Sequence, residues 1–103
     1  MIEPENGGFH VHYSGAVGDE LRELQRQANR RGQGKAFASA FRRIVRALQR
    51  DANVVGEPLY RLPNLRLRVR TVVIAPLSID FAVSEDSPHV YIKTGRLLSA
   101  PYH

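Results

Sequence analysis

The sequence predicts an α+β domain: an N-terminal strand and a helical hairpin packed on one face of a twisted antiparallel sheet of about four strands. Three observations lead there. A chain of 103 residues suits a single domain, residues 1–103, built around one core. Its 43% hydrophobic and 24% charged residues are the proportions of a soluble globular protein. The hydrophobic period changes along the chain from about two residues to about 3.6 and back to two, so the helices are segregated from most of the strands.

The elements follow in order. Residues 1–8, MIEPENGG, read as a flexible leader, acidic and Gly-rich rather than basic and then apolar like a targeting segment. GFHVHYSGA alternates Phe9, Val11 and Tyr13 with His10 and His12, a short strand closed by Ser14 and Gly15. AVGDELRELQRQANRRGQG sets Val17, Leu21, Leu24 and Ala28 at helical spacing. Its acids come early and its bases late, as the helix dipole favours, and Gly32 is placed to stop it in a left-handed cap. KAFASAFRRIVRALQRDA repeats the pattern with Phe37, Ala40, Phe41, Ile44, Ala47 and Leu48 on one stripe and Arg42, Arg43, Arg46 and Arg50 off it. Gly56, Pro58 and Pro63 mark NVVGEPLYRLPN as a loop. LRLRVRTVVIA, PLSIDFAVS and HVYIKT read as three strands, the last two joined by a turn around EDSP.

Charge and strand faces narrow the function. A net charge of +5 and a pI near 10.2 point to a polyanionic partner. The absence of cysteine excludes disulfides, thiolate metal sites and thiol nucleophiles. No apolar run approaches the roughly 20 residues that span a bilayer, and a cytoplasmic location is expected. A period of two turns Phe9, Val11 and Tyr13, then Leu65, Leu67 and Val69, then Leu77, Ile79, Phe81, Val83, Val90 and Ile92 toward the helices. The open face receives His10, His12, Arg66, Arg68, Arg70, Ser78, Asp80, His89, Tyr91 and Lys93. A single outward arginine is ordinary solvated surface. Three on one strand repel one another and need an anion or a cross-strand acid, and Asp80 serves one at most. Arg70, His12, His89, Tyr91 and Lys93 are therefore candidate substrate-binding residues. The arginines of the second helix simply occupy its solvent face. His10 and His12 have no carboxylate or cysteine at metal-ligand spacing, so no metal is expected; they are polar sheet positions or acid/base candidates. No Gly-rich phosphate loop, catalytic triad order or paired-carboxylate site stands out.

The stretch GEPLYRLPNLRLRVR, preceded by a helix ending ALQRDANVV and followed by two strands and the Arg-bearing end KTGRLLSAPY, resembles the RelE/ParE superfamily of bacterial toxin–antitoxin toxins. The resemblance covers about residues 9–102. It implies the same hairpin-on-sheet architecture with the first strand at one edge. RelE-type members cut messenger RNA in the ribosomal decoding site. They position the 2′-hydroxyl against the adjacent phosphate, stabilise that phosphate with basic side chains and transfer protons through a Tyr or His. Carried over, Arg66 and Arg68 match the paired basic residues of the central strand, Arg96 the basic residue after the last strand and Tyr102 the C-terminal tyrosine; these are the catalytic candidates. Proton transfer then falls to Tyr102, Tyr91, His89 or His12. The chain departs from the pattern at Pro76 and Leu77, where RelE members carry an arginine. ParE-type members, which inhibit DNA gyrase and are not nucleases, share the fold without the full basic set. The resemblance thus implies a ribosome-dependent endoribonuclease, a toxin directed at gyrase or another protein, or a member with neither activity. The implied partners are a small acidic antitoxin and either the ribosome with its messenger RNA or gyrase. No cofactor is implied, and the oligomeric state stays open.

Overall fold

Ser14 begins the helical layer. In the computed structural model, which describes residue 2 and residues 8–98, strand β1 (His10–His12) leads into α1 (Gly15–Arg30), whose N-cap Ser14 accepts a hydrogen bond from the Val17 amide at 3.1 Å. This cap fixes the helix start. The acids do not, because none lies in the first turn. Gly32 ends α1 as expected, at φ 73°. Its amide bonds to the Asn29 carbonyl and the Gln33 amide to that of Ala28, the pair of bonds that defines a Schellman stop. Helix α2 (Gly34–Asp51) follows at once and buries Phe37, Ala40, Ile44, Val45 and Leu48.

The sheet contains β2 (Glu57–Leu62), β3 (Leu67–Ile74), β4 (Leu77–Ser84) and β5 (His89–Leu97), with a single 3-10 turn, Pro63–Leu65, between β2 and β3. Strand order is β1-β5-β4-β3-β2. β1 runs parallel to β5 and the other pairs are antiparallel. The α+β class stands, but the sheet has five strands rather than about four, and it is mixed rather than antiparallel. The additional strand is β2, inside the segment expected to be a loop. Pro58 is compatible with a strand there because β2 is an edge and no neighbour needs its missing amide hydrogen. Gly56 allows the chain to enter: its φ is 66°, and a Cβ would lie 1.9 Å from the Thr71 carbonyl oxygen.

Two bulges shape the sheet. Pro58 faces Arg70 and Tyr60 faces Val69, which leaves Leu59 as the extra residue of β2. Phe81 faces Ile92 and Asp80 faces Thr94, which leaves Lys93 as the extra residue of β5. Bulges of this kind re-aim side chains locally.

The core lies between the helices and one sheet face. It holds Val11, Leu21, Phe37, Ile44, Leu48, Val72, Leu77, Ile79, Phe81, Val83, Val90 and Ile92, with Phe9 packed at its margin. Tyr13 is largely exposed and packs on Gly18 of α1 instead. The sequence-based faces hold for β1, β4 and β5 and are reversed for β3. Arg68 pairs with Val83, Arg70 with Phe81, Val72 with Ile79 and Ile74 with Leu77. Directly opposed residues share a face, so Arg68 and Arg70 lie on the helix side while Leu67 and Val69 lie on the open side. The alternation L-R-L-R-V-R is one phase, and Val72 with Ile74 belongs to the other. The second phase wins because the tight Ala75–Pro76 connection pairs Ile74 with Leu77 and fixes the register from that end. Leu65 is also misplaced by the alternation: it stands 65% exposed in the 3-10 turn.

Candidate functional site on the uncovered sheet face

The side of the sheet away from the helices gathers histidine, tyrosine, lysine and an arginine–aspartate contact. β1 and β5 pair in parallel register, His10 with His89 and His12 with Tyr91. Because Val11 and Val90 enter the core between them, all four rings stand on the open side. They form a continuous array. His10 stacks on His89 with centroids 5.1 Å apart, His12 lies 5.0 Å from His89, and His12 stacks on Tyr91 at 5.0 Å. His12 Nε2 and His89 Nδ1 are 2.8 Å apart and share a hydrogen. Whichever ring donates, two neutral imidazoles joined in this way carry one lone pair and one N–H on their two outer nitrogens. When both rings are neutral, such a pair presents one acceptor and one donor.

Lys93 and Tyr60 form the second feature. Lys93 Nζ donates to the Tyr60 hydroxyl at 2.9 Å and lies 5.4 Å from the ring centroid. Tyr60 belongs to β2 and Lys93 to β5, three strand intervals or about 14 Å apart at the usual spacing. The bridge thus crosses the rows of β3 and β4. This accounts for Val69 at 1% and Ala82 at 2% exposure on a side that no helix covers. Tyr60 was not foreseen, because β2 read as a loop; the alternation of Tyr60 with Arg61 and Leu62 is a strand signal too short to outweigh two prolines.

The third feature is polar. Arg96, expected to bind phosphate, is on the open face opposite Ser78. It lies 3.5 Å from Asp80 Oδ2 and 3.4 Å from Ser78 Oγ. Asp80 Oδ1 is buried and has no hydrogen-bond partner among the described residues.

The other arginines are placed differently from the sequence-based expectation. Arg70 donates through Nε to the Val55 carbonyl at 2.9 Å and through Nη2 to that of Gly56 at 3.0 Å. Arg68 donates to Asn53 Oδ1 at 2.6 Å. Both reach past the end of α2 and hold the connection into β2. Arg66 is outside β3 altogether, a left-handed residue at φ 53° that pairs with Asp86 at 3.0 Å. Arg61, which faces Arg68 across β2 and β3, is bound by the Glu85 carboxylate at 2.5 and 2.8 Å. That contact pulls the Glu85 carboxyl below its ordinary value. The row of three unsatisfied arginines is therefore corrected: each of them has a protein partner and none stands with the histidines. Tyr102 lies outside the described residues.

Of the sequence candidates, the fold brings together His12, His89, Tyr91, Lys93 and Arg96 on one face and separates Arg66, Arg68 and Arg70 from them. Among the described residues no three histidines or carboxylates converge as metal ligands, and no helix is long and apolar enough to cross a membrane. Fold and site define a class: an α+β domain with a mixed five-stranded sheet whose uncovered face is lined by histidine and tyrosine. Comparison with protein-family models, with curated proteins and with solved structures gives no match.

Proposed function

We propose that the protein is a RelE/ParE-like toxin that acts in the cytoplasm as an endoribonuclease on messenger RNA, with the open sheet face as its substrate surface. The observation that carries this reading is the shared hydrogen between His12 and His89 within a ring array beside Lys93. RNA can be cleaved without a cofactor when one group takes the proton of the 2′-hydroxyl and a second protonates the departing 5′-oxygen. The 2′-oxygen attacks phosphorus, and a 2′,3′-cyclic phosphate and a 5′-hydroxyl result. A linked acceptor and donor meets the proton requirement. Lys93, released from Tyr60, supplies positive charge to the crowded phosphate, and Tyr91 offers a ring for base stacking. In this reading histidines replace the arginines that the resemblance put at the centre, and a small acidic antitoxin covers the same face.

The test is cleavage of messenger RNA in a translating extract and of isolated RNA, by wild type, His12→Gln and His89→Gln. Loss of general acid/base catalysis lowers the rate by about 100-fold or more, with folding checked by circular dichroism. Cleavage that survives both changes would falsify the assignment.

A second reading, a toxin directed at gyrase or another protein, is favoured by a different observation. Val54, Leu59, Tyr60, Leu65 and Val73 are each at least half exposed or nearly so, and all lie on β2 or beside it. Inhibition of supercoiling without any RNA cleavage would select it.

A further inference from the structure

We propose that the solvent face of α2 docks on the phosphate backbone of an RNA duplex, a nucleic-acid surface separate from the open sheet face. This goes beyond the ribonuclease reading and stands or falls without it.

The excess charge of the chain is not spread over it. Of its 15 lysines and arginines, five (Lys35, Arg42, Arg43, Arg46 and Arg50) lie on α2 with no acid between the first and the last. The other ten are matched by the chain's ten acids, so residues 35–50 hold the whole net charge of +5. With 3.6 residues per turn the five fall within an arc of about 100° and run for about 22 Å along the axis. All are exposed, on the side of the helix opposite the buried Phe37, Ile44 and Leu48. Among the described residues none of them meets a carboxylate. Asp51, next in the chain, accepts from the Asn53 amide instead. α1 is built the other way: Arg22 pairs with Asp19, and Arg26 and Arg30 pair with Glu23 at 2.9 and 3.6 Å. Arg42, Arg46 and Arg50 follow one another at i, i+4, where like charges destabilise a helix. A row kept at that cost without its own acids is the footprint of a polyanion.

The form of the face selects among polyanions. Beside and between the cations stand Ala36 and Ser39 rather than aromatic rings, so the unstacked bases of a single strand find no platform. A double helix asks for backbone contacts alone. Only about a third of the circumference of α2 is free, because α1 and the sheet pack against the rest. A helix held in this way cannot sink into the major groove of B-DNA, about 8.5 Å deep. The wide, shallow minor groove of A-form RNA accepts a helix lying on its surface, with phosphates on either side. Arg42 and Arg43, at the two limits of the arc, then reach opposite strands.

The experiment measures binding of an RNA duplex of about 16 base pairs, a DNA duplex of the same sequence and one unpaired RNA strand, by fluorescence anisotropy at salt from about 50 to 200 mM. Wild type is compared with Arg42→Gln/Arg46→Gln on α2 and with Arg22→Gln/Arg26→Gln on α1, which removes the same two charges from paired positions. The α2 change should weaken the RNA duplex by about tenfold or more at low salt and lessen the salt slope by about two. The α1 change should alter either by little, and the DNA duplex should bind wild type at least about tenfold more weakly than the RNA duplex. A single strand held by the sheet face is indifferent to the α2 change, so cleavage results with His12 and His89 variants bear only on the other reading. Equal losses in the two double variants reduce the stripe to net charge and overturn the proposal. So does a DNA duplex bound as tightly as the RNA duplex, displacement of the RNA duplex by polyglutamate at equal charge concentration, or no binding of the RNA duplex at all.

Discussion

Single residues decide more of this surface than composition does. Glu85 is the clearest case, since the Arg61 guanidinium holds its carboxyl below the ordinary value of 4.5. A carboxylate with a depressed folded-state pKa adds stability that is complete above the unfolded value and is lost as pH falls through the folded one. Wild type should thus lose thermal stability on acidification below about 4.5 more steeply than Glu85→Gln, and the two melting curves should converge at the acid end. Melts followed by circular dichroism from neutral pH downward check this. Parallel curves throughout would mean that the ion pair contributes nothing. Arg70 makes a second point at this scale. In the sequence it is one of three equivalent arginines, yet its guanidinium serves as backbone cap for Val55 and Gly56. Nothing in the residue type distinguishes a phosphate ligand from a loop clamp. The partner does, and the partners are carbonyls on a segment that reads as unstructured.

Elements were legible where one periodic pattern was long and unopposed. Both helices and the strand faces of β1, β4 and β5 follow from spacing, because Phe37, Ile44 and Leu48, or Ile79, Phe81 and Val83, admit only one buried side. β3 carries two apolar phases, Leu67 and Val69 against Val72 and Ile74. Its orientation depends on the β4 partners, which are tertiary information. β2 was hidden by Gly56 and Pro58, the residues that let an edge strand start and stay an edge. The consequence is measurable at that entry. Gly56→Ala forces a side chain into left-handed backbone, costing about 1–3 kcal/mol, and the contact with the Thr71 oxygen adds to it. Arg70→Met, which leaves the same segment without its two donors, should cost about 1.5–3 kcal/mol. Urea titrations of both variants test the assignment. A neutral Arg70→Met would indicate that the guanidinium is not the clamp.

At the scale of the whole molecule the two sheet faces do different work. The helix side supplies the stability, and Phe81, fully buried among the β-strand and helix side chains, is its centre. Phe81→Ala should cost about 3–5 kcal/mol, a large share of the roughly 5–15 kcal/mol that holds a domain together. Denaturant unfolding would show this, and a loss under about 1 kcal/mol would mean that the core closes elsewhere. The open side was half legible: its histidines, Tyr91 and Lys93 were placed by alternation, while the Tyr60 bridge and the Asp80–Arg96 contact needed strand order, which no single-chain pattern states. That order also divides the histidine pair between the first strand and the last, 77 residues apart in sequence. A contact so distant is among the most costly in loop entropy to close during folding, and β1 offers only three residues of pairing to hold it. The acceptor–donor unit consequently exists only after β5 has left the ribosome and the chain has closed its outermost parallel edge. A chain cut short before β5, whatever helices and hairpins it has already formed, lacks the His12–His89 contact altogether.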